Sequence, residues 1–468
     1  MVCEPPFSQW PSFTQKTDGK WRKEFLSLAL DHTAGLGLPT PNVADGAPVV
    51  MSGHQPYLYH PGVLYKYALL ARYARGGGVA VNLAVDTDLS GGYPLKVPSF
   101  DGKYLKNTRC IAPSAKKGFY CDVVLRKEET LAFAEEAVKD LASLPEKLFE
   151  SGANFLRADF WENLPANSTD ATTMIRRKYA DGWDGPVLEV PLTKVCKTAG
   201  FFEFAHYLLA NAQKFAEVFN KALHRYREEH KLRYPANPFP DLAPAKDGVE
   251  TLFWIAKGEQ RTTLVVKNSV CISEFGSEEI KTGADLRRLC DANGVRIWPK
   301  AVALSIINRL YLSDLFLHGL GGAKYDKITD EVISGFYGIN PPTFAVASLT
   351  LDSGLEDPAQ KILAEKQKLR EMDFHPENFL KSPPSGLLEE KHKLTSEIQA
   401  PGANKKELGG KLGRVNAELK ALLAPLKAEA EKTIASLEAE QGRYDVLADR
   451  ELSFFLHPPD AFESFLKT

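Results

Sequence analysis

The sequence predicts an α/β protein with a mostly parallel sheet core and an antiparallel helical coiled-coil hairpin, inserted or appended. Up to about residue 348, β-branched and aromatic runs alternate with amphipathic segments, and two apolar runs within 49–88 end in polar residues, which predicts the core. From about residue 357 to 441 strands give way to Ala, Glu, Lys and Leu at heptad spacing, which predicts the hairpin. We expect a core over 1–350, a hairpin over 351–445 and a C-terminal segment over 446–468 that packs back on the core.

The composition restricts the class of partner. The 468 residues carry a formal charge of -2, with 44% hydrophobic and 25% charged side chains, which is typical of a globular chain and argues against a nucleic-acid surface over the whole molecule. The six cysteines show no CxxC spacing, so we expect reduced thiols and predict no metal site. The chain begins without a signal pattern and contains no apolar run of ~18 residues. We therefore expect a cytoplasmic protein with a small-molecule substrate and neither a nucleic-acid nor a membrane partner.

The first strand, from Val49, leads into a polar segment at its carboxyl end. Gly53 allows close backbone approach, and the free N–H groups of the following helix, beside His54 and His60, favour an anion such as a phosphate or carboxylate. The alternative is that the two histidines only cap the turn. We predict a substrate site here that also includes Gln55.

The second strand, 79–85, is followed by Asp86 and Asp88. In an extended chain, residues two apart face the same side, so both carboxylates would point toward one ligand. They would suit a general base, a divalent metal or a substrate amine, and a solvated turn is the alternative. Because the ends of parallel strands line one crevice, we expect this pair to complete the site.

A second candidate segment lies at 309–326. We expect an apolar helix to end there in a glycine cluster, with Gly321 and Gly322 exposing backbone N–H groups to a ligand. Arg309 lies in an otherwise apolar stretch and needs a partner if buried, so a structural ion pair and a catalytic role are both open. The candidate binding residues of this segment are Arg309, Gly321, Gly322, Lys324, Tyr325 and Asp326.

Two further patterns concern the body of the core. The apolar face over 201–230 predicts one long helix. Two β runs, 250–256 and 262–266, flank a Lys-Gly-Glu-Gln turn and predict a β-hairpin.

The heptad seam of the predicted helical hairpin consists of Leu408, Leu412, Val415, Leu419, Leu422 and Leu426. A turn-forming stretch, 399–404, separates it from an earlier arm with Leu387, Leu394 and Ile398 in similar register. Pro425 should kink or end the second arm. Such a hairpin can support a homodimer or pack on its own body, and both stay open.

The motif Gly53-x-Gln55-Pro56-x-x-x-His60-x-Gly62 resembles the signature of the HxGH nucleotidylyltransferases. That family uses paired histidines to stabilise charge at an α-phosphate. Val63 stands where its second histidine would be.

The order of parts along the chain resembles the bacillithiol-biosynthesis cysteine-adding enzymes. The resemblance rests on Gly53-His54-Gln55-Pro56, the Gly62-x-x-x-Lys66 helix, Asp86-Thr87-Asp88, Gly321-Gly322-x-x-Tyr325 and the helical hairpin. It implies a Rossmann-like core and a dimerising coiled coil that together join the carboxyl group of cysteine to an amino-sugar conjugate. It also implies that His54, His60 and Lys66 hold the activated carboxyl group or phosphate. Asp86 or Asp88, with Asp86 favoured, would then bind or deprotonate the amine, while the Gly321-Gly322 turn closes the pocket.

Two alternatives belong to other classes. A nucleotidylyl- or glycosyl-type transferase would use the same crevice, and the cofactor, with a nucleotide as one option, stays open. A non-catalytic scaffold would act through the helical hairpin alone.

Overall fold

The structure is a computed structural model that describes residues 1–13, 19–113, 118–183, 185–245, 248–267, 270–273 and 276–462. The chain divides into two compact units. The first comprises Met1–Val97, Asn107–Leu351 and Arg450–Thr468, and the second comprises Pro98–Lys106 and Asp352–Asp449. Every helix within the described ranges is too short or too polar to span a lipid bilayer.

The strands are, in chain order, β1 (Val2–Glu4), β2 (Val49–His54), β3 (Val79–Ala84), β4 (Pro94–Phe100), β5 (Tyr104–Cys110), β6 (Leu188–Pro191), β7 (Pro244–Ala245), β8 (Gly248–Lys257), β9 (Gln260–Lys267), β10 (Val270–Ser273), β11 (Gly276–Glu279), β12 (Arg296–Pro299), β13 (Leu315–His318) and β14 (Phe344–Ser348). They form a six-stranded sheet, a second sheet built on β8 and β9, and a two-stranded sheet of β4 and β5.

The six-stranded sheet has the order β1-β14-β13-β2-β3-β6. All neighbours pair in parallel except β1, which lies antiparallel to β14 at one edge. The strand β3, between β2 and the edge strand β6, is buried at every position, which is expected of a parallel strand covered by helices on both faces. The predicted α/β class and the mostly parallel sheet are confirmed. The strand order reverses direction between β2 and β13.

The second sheet has the order β11-β10-β9-β8-β12, and β7 also pairs with β8. All of its pairs are antiparallel. The turn between β8 and β9 contains Gly258 at a φ of 57°, a conformation that glycine adopts without steric cost. The predicted hairpin between 250–256 and 262–266 is therefore confirmed.

The helices of the first unit are α1 (Trp10–Phe13), α2 (Arg22–Gly35), α3 (Pro61–Arg75), α4 (Lys127–Ala142), α5 (Glu150–Leu156), α6 (Ser168–Tyr179), α7 (Leu192–Val195), α8 (Ala199–Ala210), α9 (Ala212–Glu229), α10 (Gly283–Asn293), α11 (Ala301–Ile307) and α12 (Leu320–Val332). The helices α11 and α12 continue into π-helical turns at Asn308–Leu312 and Ile333–Tyr337.

The prediction of one helix over 201–230 was wrong. The helix breaks at Asn211, whose φ of -114° and ψ of 24° lie outside the helical range, and α8 and α9 are separate helices. The side chain of Asn211 donates to the carbonyl oxygen of Tyr207 at 2.9 Å. This is the local backbone competition that makes asparagine favour helix ends. The apolar pattern continues across the break because both α8 and α9 bury an apolar face.

The expectation for 309–326 was also wrong in its local structure. The apolar residues of β13 form a buried strand of the six-stranded sheet, and Gly319 precedes a helix instead of ending one. Gly321 and Gly322 therefore lie in the first turn of α12, not in an irregular glycine turn. A short apolar run fits a buried strand as well as a helix, so its length and its glycine flank should have favoured the strand.

The second unit contains the helices α13 (Ala359–Phe374), α14 (Ser385–Gln399), α15 (Lys405–Leu422) and α16 (Ala424–Leu447). The pairs α14 with α15 and α13 with α16 are in contact. Leu394, Val415 and Leu419 form a small buried cluster. The predicted seam ends there, because Leu422 and Leu426 are 50% and 41% exposed. The helix breaks before Pro425, which lies in the first turn of α16, where its missing N–H is tolerated.

The C-terminal segment of the first unit is apolar and buried. Phe454, Phe455 and Leu456 are fully buried. The backbone N–H of Phe454 donates to the carbonyl oxygen of Tyr59 at 2.9 Å, so this segment supports the polar loop that follows β2.

Candidate functional site

A cavity of about 700 Å³ lies at the carboxyl ends of β2, β3 and β13. From these strands and the segments that follow them it is lined by Gly53, His54, Gln55, Leu83, Val85, Thr87, Asp88, Phe316, His318, Gly322, Tyr325, Asp326 and Thr329. The strands β2 and β13 are neighbours at the point where the strand order reverses. In open parallel sheets this position forms a crevice in which ligands bind.

The second sheet supplies the opposite wall. The lining residues there are Glu250, Leu252 and Trp254 of β8, Arg261 and Thr263 of β9, and Pro299, Lys300, Ala301, Val302, Leu304, Ser305 and Asn308 at and around α11. Phe219 and the loop residues 239–242 complete it. The cavity is thus enclosed between two sheets, and its volume is within the range usual for small-molecule sites, about 300–1,000 Å³.

The two predicted segments meet at this cavity, but only part of each reaches it. The predicted residues that line it are Gly53, His54, Gln55, Asp88, Gly322, Tyr325 and Asp326. The predicted residues outside the lining are His60, Lys66, Asp86, Arg309, Gly321 and Lys324. Lys66 contacts Gly53 and Arg309 contacts Asp326, so these two residues act on the cavity only through a neighbour that lines it.

His54, at the end of β2, is an uncharged side chain at neutral pH. Burial, assisted by the charge of Lys66, lowers the pKa of His54 to about 3. Its Nδ1 lies 3.2 Å from the carbonyl oxygen of Gln55, and because a carbonyl only accepts, the proton of the neutral ring lies on Nδ1. His54 therefore offers Nε2 as a hydrogen-bond acceptor and contributes no positive charge.

His60 and Lys66 have structural positions behind the loop. His60 is the N-cap of α3, and its Nδ1 accepts from the backbone N–H of Gly62 at 3.1 Å, which is the capping alternative considered for these histidines. Lys66 is buried and donates to the carbonyl oxygen of Gly53 at 2.9 Å. Burial lowers the pKa of Lys66 to about 8. Both residues position the loop instead of facing the cavity.

Asp86 and Asp88 do not face the same side, contrary to the expectation from their spacing. The N–H of Asp86 donates to the carbonyl oxygen of Ala84 at 3.0 Å, so the backbone turns directly after β3 and the extended geometry is lost. Asp86 is 1% exposed, and its carboxylate accepts from the N–H of Thr193 at 2.9 Å and from the Thr193 hydroxyl at 2.5 Å. Burial raises the pKa of Asp86 to about 6 in spite of these hydrogen bonds.

Asp88 is the carboxylate that reaches the cavity. Its side chain is 39% exposed and lies 3.2 Å from Arg261 Nη1. Gln55 Nε2 donates to the other carboxylate oxygen at 3.2 Å, and Arg261 also donates to the carbonyl oxygen of Thr87 at 3.1 Å. These contacts join the ends of β2 and β3 to β9, so that Asp88 is held at the boundary between the two sheets.

Arg309 forms a buried ion-pair network behind the opposite side of the cavity. Its guanidinium donates to Asp326 and to Asp330, each at 2.5 Å, and also to the carbonyl oxygen of Pro342. His318 Nε2 lies 3.0 Å from the same oxygen of Asp326. Burial alone would raise the pKa of Asp326, but the hydrogen bond and charge of His318 and the charge of Arg309 hold it well below its usual range. Arg309 thus keeps Asp326 ionised and oriented at the cavity wall.

Asn308 carries an unsatisfied acceptor at the cavity. It is 1% exposed, and its Oδ1 has no hydrogen-bond partner within the described part of the protein. Leaving a buried acceptor unpaired costs about 1–3 kcal/mol. Asn308 begins a π-helical turn, a feature often found at functional sites.

Arg261, Lys300 and Trp254, here named the Trp254 cluster, were missed as site residues by the sequence reasoning. The guanidinium carbon of Arg261 lies 4.7 Å, and Lys300 Nζ 4.3 Å, from the centroid of the Trp254 ring. Lys300 also donates to the hydroxyl of Thr263 at 2.9 Å. The available signal was a charged residue, Arg261, and a tryptophan, Trp254, in adjoining strands of a predicted hairpin. The sequence did not indicate that this hairpin faces the parallel sheet.

The described residues contain no group of three or more His, Cys, Asp or Glu side chains that could hold a metal ion. Comparison with known protein families gave no family model that matches the chain, and comparison with curated proteins gave no match either.

Proposed function

We propose that this protein is a ligase or transferase that joins an activated carboxyl group to the amine of a small acceptor. The observation that carries the proposal is the cavity at the reversal of strand order, where the Asp88 carboxylate and the Trp254 cluster line one space. An amide-forming site needs an acceptor for an amine and cationic donors for a carboxyl oxygen or a leaving phosphate. The cavity contains both kinds of group.

The strand order supports a Rossmann-like core. In chain order the parallel strands are β2, β3, β6, β13 and β14, and in the sheet they follow the order β6-β3-β2-β13-β14. This is the arrangement of Rossmann-like sheets, whose ligands bind at the reversal. Resemblance to the cysteine-adding enzymes adds a cysteine-like amino acid as the carboxyl donor and an amino-sugar-type acceptor.

Each wall of the cavity would hold a different part of the reactants. Asp88 would accept hydrogen bonds from the acceptor amine, while Arg261 would stabilise negative charge on the carboxyl oxygen. His54, being neutral, would orient a reactant by hydrogen bonding.

The four helices of the second unit would, in the same proposal, form a coiled coil through which two copies associate. The buried cluster of Leu394, Val415 and Leu419 supports packing between α14 and α15. A sedimentation measurement on the full chain would test the association directly.

A nucleotidylyl-type transferase is the second candidate. The favourable observation is that α12 follows β13 with Gly319 as its N-cap and two glycines, Gly321 and Gly322, in its first turn, and that Gly322 lines the cavity. Helix N-termini in this position bind phosphates. His60 does not line the cavity, which weakens the histidine mechanism of that family for this chain.

The test is a coupling assay on the full chain. Amino acids and amino-sugar conjugates are incubated with the protein, with and without ATP and Mg²⁺, and new amides are detected by mass spectrometry. We expect an amide product that Asp88→Asn reduces at least about tenfold, while Asp159→Asn, an exposed aspartate outside the cavity lining, leaves it unchanged. Nucleotide transfer without any amide would favour the second candidate instead.

A further inference from the structure

Lys300 is the lysine among the residues that line the cavity. It follows β12 and precedes α11, and its Nζ lies against the Trp254 ring with the Thr263 hydroxyl as hydrogen-bond acceptor. Among the described residues, no carboxylate lies within 4.0 Å of Nζ. The ammonium form therefore has no ion pair, and its stabilising contacts are the face of the Trp254 ring and the Thr263 hydroxyl.

The surrounding charges act on Lys300 from several elements. Glu250 of β8 favours the charged form and Arg261 of β9 opposes it, while burial is the largest influence. Together they lower the pKa of Lys300 to about 8. The remaining charged or titratable groups among the lining residues are His54, Asp88, Asp241, His318, Tyr325 and Asp326.

We infer that Lys300 is the general base that removes the proton from the acceptor amine as it attacks the activated carboxyl carbon. This inference rests on the function proposed above. The C–N bond of the amide forms, and the bond from the carbonyl carbon to its leaving group, a phosphate or a nucleoside monophosphate, breaks. The leaving group departs with the electron pair, and the amine proton passes to Lys300 Nζ, which then releases it to the leaving group or to water.

The other cavity groups suit this role less well. His54 is a weak base because its pKa lies near 3. Asp326 accepts from Arg309 and lies beside His318, so its lone pairs are engaged. Asp88 accepts from Gln55 and Arg261. A base works best when its pKa is close to the operating pH, and Lys300 meets this condition.

Trace acetylation of the native full chain tests Lys300 without any knowledge of the substrate. Acetic anhydride is added between pH 6 and 10, with free N-acetyl-lysine amide as internal standard, and the peptide containing Lys300 is quantified by mass spectrometry. We expect a titration midpoint near 8, and at pH 7.5 a rate about 10- to 100-fold above the standard, because an ordinary lysine titrates near 10.4. A midpoint near that of the standard would overturn the inference.

The coupling assay then separates a base from a simple anion-binding charge. Arginine keeps the positive charge but does not release its proton at physiological pH. We expect K300R and K300M each to lower kcat about 100-fold or more and to abolish the acidic limb of the pH profile. K300R should change KM little. Lys139→Met, at an exposed position, is the control and should change neither kcat nor the pH profile. Activity retained by K300R would overturn the base role. If the native chain forms no amide, the proposed function fails and the base role with it, whereas the acetylation midpoint still reports whether Lys300 itself is unusual.

Discussion

The buried carboxyl group of Asp86 should make the stability of the protein depend on pH in a direction opposite to that of most aspartates. Its pKa is raised from 3.8 to about 6 because burial outweighs the two hydrogen bonds from Thr193. The folded chain thus holds this proton more tightly than the unfolded chain. The associated stability is fully present below about pH 4 and is lost as the pH rises through 6. A difference of about 2 units corresponds to about 3 kcal/mol.

Asp86→Asn removes the titration while keeping the shape of the side chain and an oxygen that accepts from the Thr193 N–H. Urea unfolding of both proteins between pH 4 and 8 gives two free energies of unfolding at each pH. Their difference, wild type minus variant, should fall by about 2.4 kcal/mol of that total between pH 4 and 7, because the other titrations cancel. Asp159→Asn, at an exposed position, should give a difference that changes by less than about 0.5 kcal/mol. A flat difference for Asp86→Asn, or one that rises with pH, would refute the reasoning.

Three further predictions concern stability and are all measured by urea unfolding. Arg309→Met leaves two carboxylates without their buried partner and should cost about 3–5 kcal/mol; a loss below about 1 kcal/mol would mean that the ion pair is not structural. Gly62→Ala places a methyl group 2.7 Å from a backbone carbonyl oxygen and should lower the free energy of unfolding by about 1–3 kcal/mol. Gly321→Ala, in open space on a helix, should raise it by about 0.5–1 kcal/mol. Equal effects of the two substitutions would contradict the described packing. Leu419→Ala, at a fully buried position, should cost about 2–5 kcal/mol, and Leu422→Ala, at a half-exposed one, less than about 1 kcal/mol; the reverse order would show that the predicted seam continues beyond the helix break.

Strand ends were the part of the site that the sequence predicted best. The apolar runs of β2 and β3, each followed by polar residues, correctly indicated that Gly53, His54, Gln55 and Asp88 would lie near one another. The reason is physical: carboxyl ends of adjacent parallel strands share one edge of a sheet.

The helix break at Pro425 was also predicted directly, from the missing backbone N–H of proline.

The sequence could not give the direction of side chains beyond the strand ends. Asp86 was favoured over Asp88, but one backbone hydrogen bond after β3 turns the chain and buries Asp86 against Thr193. The cavity-facing role of Lys300 and Trp254 depends on how an antiparallel sheet packs over a parallel one. That contact is long-range in sequence and leaves no local pattern.

The central claim is that the cavity at the reversal of strand order binds the substrate. Its most direct test is a crystal structure of the full chain with a ligand selected by thermal shift from nucleotides, amino acids and amino-sugar conjugates. We expect ligand density between the ends of β2 and β13 and the second sheet, in contact with Asp88 and Lys300. Density confined to another place, such as the cavity of about 360 Å³ beside Cys121 and Cys290, would contradict it.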